Sequence, residues 1–152
     1  MTDNPHSTAR IAGHPLHPMF VPFPIVCFVL TLISDLAYWK TAAMQWANMS
    51  AWLLVVGLVM ALLAVIAGLI DFLGERRIRA LPAVYVHALG NTVALVLAIF
   101  NLLIHSRDAY TSVVPTGLVL SVLTVLILLV TGWLGGDMVY RHRVGVLPED
   151  RP

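Results

Sequence analysis

Four long apolar runs alternate with short polar segments along the chain, at about 18–39, 50–73, 80–104 and 112–134. Each supplies roughly 20 apolar residues, the length at which a helix crosses a hydrocarbon core. The runs are continuous and rich in Leu, Ala and Val, so they do not read as the alternating strands of a barrel. The segments between them are short. The pattern therefore predicts an all-α integral membrane protein, folded as a four-transmembrane-helix antiparallel up-down bundle.

Within the runs, small and polar residues recur at helical spacing. Ala80, Ala83, His87, Asn91, Ala94, Ala98, Asn101 and His105 share one face of the third span. Gly57, Ala61, Ala64, Gly68 and Asp71 repeat the spacing in the second, and Gly117, Ser121, Thr124, Thr131 and Gly135 in the fourth. Small residues let membrane helices approach closely, and polar ones hydrogen-bond across the seam. These faces are expected to point inward.

The flanks are read differently. Residues 1–13 are polar and aperiodic and are expected to be loose cytoplasmic chain, as is the tail 144–152, leaving 14–143 as the membrane domain. Pro15, Pro18, Pro22 and Pro24 punctuate the entry to the first span. Proline is tolerated where backbone N–H groups lack intrahelical partners. The His14–Pro18 stretch is thus expected to be extended, with a regular helix from about Phe23.

Charge sets the orientation. Arg10, Arg76, Arg77, Arg79, Arg141, Arg143 and Arg151 fall on one side of a four-span topology, and only Lys40 and Arg107 on the other. The positive-inside rule then puts both termini in the cytoplasm. Tyr38, Trp39, Trp46, Trp52 and Tyr110 mark the far interface as an aromatic belt would. The first apolar run is long enough to stay as an anchor rather than act as a cleaved signal. Net charge of +1 argues against a nucleic-acid partner, and the single Cys27 excludes a disulfide framework or a cysteine metal knuckle. No nucleophile triad, phosphate loop or nucleotide fingerprint is present, so no reaction follows from the sequence.

Candidate chemistry gathers at the cytoplasmic end. His87 lies on the small-residue face of the third span with Asn91 one turn deeper; an ionisable residue inside a membrane is costly and marks a function by default. Its alternative role is to hydrogen-bond a neighbouring helix or a carboxylate such as Asp71. His14 and His17 flank Pro15 and Leu16 before the first span and need not converge if that stretch is extended. Asp71 and Asp137 stand near arginines, where interfacial ion pairs are ordinary, and Asp137 to Arg141 has i,i+4 spacing. A faint internal repeat joins them: His17 and His87 open spans one and three, and Gly then Asp close spans two and four. Helix pairs related by an axis along the membrane normal would bring the two histidines face to face. His105 and Asp35 lie near the opposite face, where a second two-histidine site is not expected.

Several motifs resemble those of a bacterial family of predicted membrane proteins that carry a domain of unknown function. They are Gly13-His14-Pro15-Leu16-His17-Pro18-Met19, Gly68-Leu69-Ile70-Asp71-Phe72, His87-Ala88-Leu89-Gly90-Asn91, Gly132-Trp133-Leu134-Gly135-Gly136-Asp137 and the stretch from Val139 to Val146. The resemblance implies four transmembrane helices and a bacterial inner membrane, and no established activity. Some members are similar to the membrane half of proteins fused to Rieske- or cytochrome-type domains, which implies electron transfer. Many carry His at the place of Pro22 and Glu at that of Asp137.

Three readings follow. In the first, the protein is a small redox component that binds one b-type haem or similar centre, with His87 and His17 or His14 as axial ligands. Asn91 and Asp71 would then support the imidazoles, and the partners would be lipid and a redox protein. In the second it is a scaffold or transporter subunit, needing no cofactor, whose polar ring only locks helices; a homodimer fits either. In the third, His14, His17, His87 and Asp137 hold a divalent metal, although no His-x3-His or Glu-x-x-His pair occurs on one helix.

Overall fold

A computed structural model describes residues 4–107 and 113–146. Tyr110, Arg151 and the tail beyond Val146 lie outside them. Among the described residues four helical spans are long and apolar enough to cross a membrane: Leu16–Thr41, Met44–Gly74, Pro82–His105 and Val113–Tyr140.

The first span starts earlier than its prolines predict. Only His14–Pro15 is extended, pairing antiparallel with Arg10–Ile11 across a turn in which Ala12 and Gly13 both take positive φ (49° and 84°). This is the backbone that a two-residue hairpin demands. Helix α1 (Leu16–Phe20) follows at once, with Pro15 as its extended N-cap, and α2 (Pro22–Thr41) resumes after Val21 with Pro22 in its first turn. Prolines at helix starts forfeit no hydrogen bond, so the chain absorbs them by restarting the helix.

Helix α3 (Met44–Gly74) starts about two turns earlier than the apolar run, because Ala47 and Ser50 are buried and extend its inward face. The short helix α4 (Arg76–Arg79) is capped by the Glu75 side chain accepting from Arg77 N at 3.0 Å. Arg79 donates to the Phe72 and Leu73 carbonyls at 3.0 and 2.6 Å, covering the open end of α3. Helix α5 (Pro82–His105) comes next. After a turn at Val113–Gly117, in which Val114 leaves helical angles, α6 (Leu118–Tyr140) runs past the glycines where the sequence reading stops it.

Packing is most extensive within two pairs, α2 with α3 and α5 with α6, and lesser between α2 and α6 and between α3 and α5. The predicted stripes line these seams: Ala61, Ala64, Ala94, Ala98, Ser121, Thr124 and Thr131 are all buried. Phe28, Leu54 and Ala98 form an apolar plug at mid-bundle, flanked by Leu58, Leu102 and Leu128. The outer faces expose Leu, Val, Ile and Phe in quantity, as a lipid-facing surface does. Tyr38 departs from the aromatic belt and is buried with Ala47 and Val113, while Trp39 and Trp52 are exposed.

The N-terminal segment is not loose over its described part. Asp71 draws it down: its carboxylate accepts from the Thr8 and Ala9 amides, both at 2.7 Å, and from Ser7 Oγ at 2.9 Å. Residues 145–146 join it, through Gly145 N to Pro5 O (2.9 Å) and Asn4 Nδ2 to Val146 O (3.2 Å). Polar composition conceals this, because the arm is held by one carboxylate and not by an apolar face of its own.

Candidate functional site

His17 in α1 and His87 in α5 stand with ring centres 6.2 Å apart and planes crossed at 75°. Each is held in the same way. His17 Nδ1 lies 2.7 Å from the Ala64 carbonyl, and His87 Nδ1 lies 2.9 Å from the Thr131 carbonyl. A carbonyl only accepts, so each Nδ1 carries the proton and donates. Among the described residues neither Nε2 has a hydrogen-bond partner, which leaves its lone pair free for a ligand.

The rings rest on glycines one turn beyond those carbonyls. A Cβ at Gly68 would stand 2.9 Å from His17 Nδ1, and one at Gly135 would stand 3.4 Å from His87 Cε1. The two halves of the chain therefore repeat one device: an imidazole at the start of a helix, a carbonyl on its partner helix, and a glycine one turn on. This gives the internal repeat its physical content.

Leu in place of Gly68 should destabilise the fold by about 1–3 kcal/mol, because the side chain must displace the imidazole. Leu in place of Gly132, where a Cβ meets nothing within 4 Å, is the matched control. Thermal unfolding in detergent compares them; equal midpoints would remove the glycine notch from the account.

Asn91 supports His87 from within the helix. Its Nδ2 donates to the His87 carbonyl at 2.8 Å and its Oδ1 accepts from Thr131 Oγ1 at 3.3 Å, linking α5 to α6 beside the ring. The other candidates do not join. His14 is exposed on its short strand. Asp71 binds the N-terminal arm and does not support His87, whose Nδ1 is taken by Thr131. Asp137 pairs with Arg141 at 3.1 Å, as its spacing predicts, and lies 3.9 Å from His142. Among the described residues no group of three or more His, Cys, Asp or Glu could hold a metal ion, so His14, His17, His87 and Asp137 do not assemble as one site.

A second polar constellation, which the sequence reading passed over, lies at the other end of the spans. Asp35 and His105 are fully buried at their side chains and 2.9 Å apart. Ser50 Oγ donates to Asp35 Oδ1 at 2.6 Å, Ser121 Oγ donates to Oδ2, and Asn101 Nδ2 donates to Ser121 Oγ at 2.8 Å. All four spans contribute. One signal could have found it: Asp35 follows His17, and His105 follows His87, by the same eighteen residues.

The family described as predicted membrane protein (DUF2231) matches residues 13–148. No curated protein and no solved structure matches the chain.

Proposed function

The chain belongs to the DUF2231 family of predicted membrane proteins, and from that premise we propose that it is a small redox component of the bacterial inner membrane, binding one b-type haem between His17 and His87. The observation that carries this reading is the adjacent imidazole pair, each Nδ1 anchored on another helix and each Nε2 without a hydrogen-bond partner among the described residues. Two imidazoles can hold one metal centre only where their rings come close together. The ring centres of His17 and His87 stand 6.2 Å apart.

The donor set also favours haem over a bare ion. A divalent metal held by protein alone takes three or four ligands in most sites, whereas haem brings its own nitrogens and would need only His17 and His87 from this chain. When bound, the haem would carry one electron at a time. The residues of the chain would orient both imidazoles, fix their tautomers through the Ala64 and Thr131 carbonyls, and exclude water with small residues packed alongside.

In this reading the spans form an up-down bundle with both termini and the imidazole pair at the cytoplasmic side. The scaffold reading rests on the same two Nδ1 bonds, taken as helix ties alone. The absorption spectrum of the detergent-purified protein separates them. A Soret band with reducible low-spin visible bands, near one haem per chain, is expected; its absence after expression with ample haem supports the scaffold.

Orientation has its own test. Cysteines introduced at Arg77 and Arg107 should react from opposite sides of intact membranes, with Arg77 on the cytoplasmic side. Labelling of both from the periplasm would overturn the topology.

A further inference from the structure

We propose that Asp35 and His105 form an exchangeable-proton site inside the bundle, separate from the His17–His87 pair. It stands whether or not those histidines bind haem. Proton stoichiometry defines the site. His105 Nδ1 lies 2.9 Å from the Asn101 carbonyl, an acceptor only, so Nδ1 carries a proton. Nε2 lies 2.9 Å from Asp35 Oδ1. Two lone pairs cannot face each other at that distance, so a second proton lies between them. Whether it sits on nitrogen or oxygen, the pair is electrically neutral: imidazolium with carboxylate, or imidazole with carboxylic acid. Losing it leaves one net negative charge at a site with no exposed side-chain surface.

Such a charge would be prohibitive without donors, and the site supplies them. Ser50 and Ser121 each aim a hydroxyl at the carboxylate, one at each oxygen. Hydrogen bonds to the charged form make the anion reachable. Release is then a balanced step: the shared proton passes to water, leaving a carboxylate beside a neutral imidazole, and because two lone pairs cannot stay at 2.9 Å, the ring and the carboxylate separate or admit a water between Nε2 and Oδ1. No other charged group faces the pair among the described residues. Helix α3 brings Ser50 and α6 brings Ser121. Among the described residues the titratable neighbours along the chain are Tyr38, Lys40 and Arg107, and the last two are exposed.

Two unpartnered polar atoms give water a place. Asn101 Oδ1 and Thr124 Oγ1 are buried without a hydrogen-bond partner, although their residues are only 1% and 2% exposed. Orphaned polar atoms of this kind, one an amide oxygen and one a hydroxyl, call for a water molecule. A shallow, mainly apolar groove of about 230 Å³, lined by Asn48, Ala51, Trp52, Val55, Leu102 and Ser106, lies between α3 and α5 at this end of the spans, and neither Ser50 nor His105 lines it. The other direction is closed by the Phe28–Leu54–Ala98 plug. The proposed exchange is therefore with the end of the bundle away from His17 and His87, on the near side of that plug.

Nitrogen-15 spectra of histidine-labelled protein in lipid bilayers, followed with the infrared carboxyl band across pH 4 to 10, test this. One step is expected in which the His105 Nε2 signal and the Asp35 carboxyl band change together, with one proton exchanged per chain. Asp35→Asn should abolish the joint step. Ser121→Ala, which keeps both members of the pair should Asp35→Asn fail to fold, should move its midpoint by about one pH unit or more while leaving the His17 and His87 signals in place. No joint change in the native protein, or an unmoved midpoint in Ser121→Ala, overturns the proposal.

Discussion

His105→Ala should destabilise the protein by about 3–5 kcal/mol, the largest stability effect expected of any single side chain here. The variant strips Asp35 of its ring partner and leaves a carboxyl group with no exposed surface among two serine hydroxyls. Removing one member of a buried pair costs far more than replacing both with well-packed apolar groups. The double variant Asp35→Leu/His105→Leu should therefore recover most of the loss, since Ser50 and Ser121 can turn to helix carbonyls one turn back, as Ser34 already does with Leu30 at 2.8 Å. Reversible unfolding in detergent reads both. A double variant no better than His105→Ala would mean that the two residues act independently.

The second large effect concerns the other end of the spans. His17→Ala and His87→Ala should each lower the haem retained on purification at least about tenfold, because losing even an outer partner of a metal ligand costs about 10–100-fold in affinity. Any haem that remains should lose its low-spin spectrum, having one axial imidazole. His14→Ala and His105→Gln should leave the spectrum unchanged. His14 is exposed on its strand, and His105 lies eighteen residues from His87 in α5, about 27 Å by the helical rise. Equal loss in all four variants would point to general unfolding and not to ligation.

The chain makes its spans and inward faces easy to read, because a membrane helix must be apolar throughout and small where it packs. The periodic stripe in the third span is enough to turn His87 inward. The histidine motif before the first span, together with the repeat, is enough to bring His17 toward it. What escaped is long-range pairing. Asp35 sits in the first span, whose small-residue stripe is weak, and its partners come from three other helices. No local period encodes such a set, and only the matched spacing from His17 and His87 hints at it. Asp71 misled for the opposite reason. Arginines next to it in sequence made an ion pair the natural reading, while its actual partners are the amides of Thr8 and Ala9, more than sixty residues away.

The most direct test of a two-imidazole centre is low-temperature electron paramagnetic resonance of the oxidised protein. Ring planes crossed at 75° predict the strongly anisotropic low-spin ferric signal of steeply crossed axial imidazoles. A high-spin ferric signal, or the rhombic signal of near-parallel rings, would contradict the arrangement of His17 and His87; no iron signal at all from protein expressed with ample haem would contradict the redox function itself.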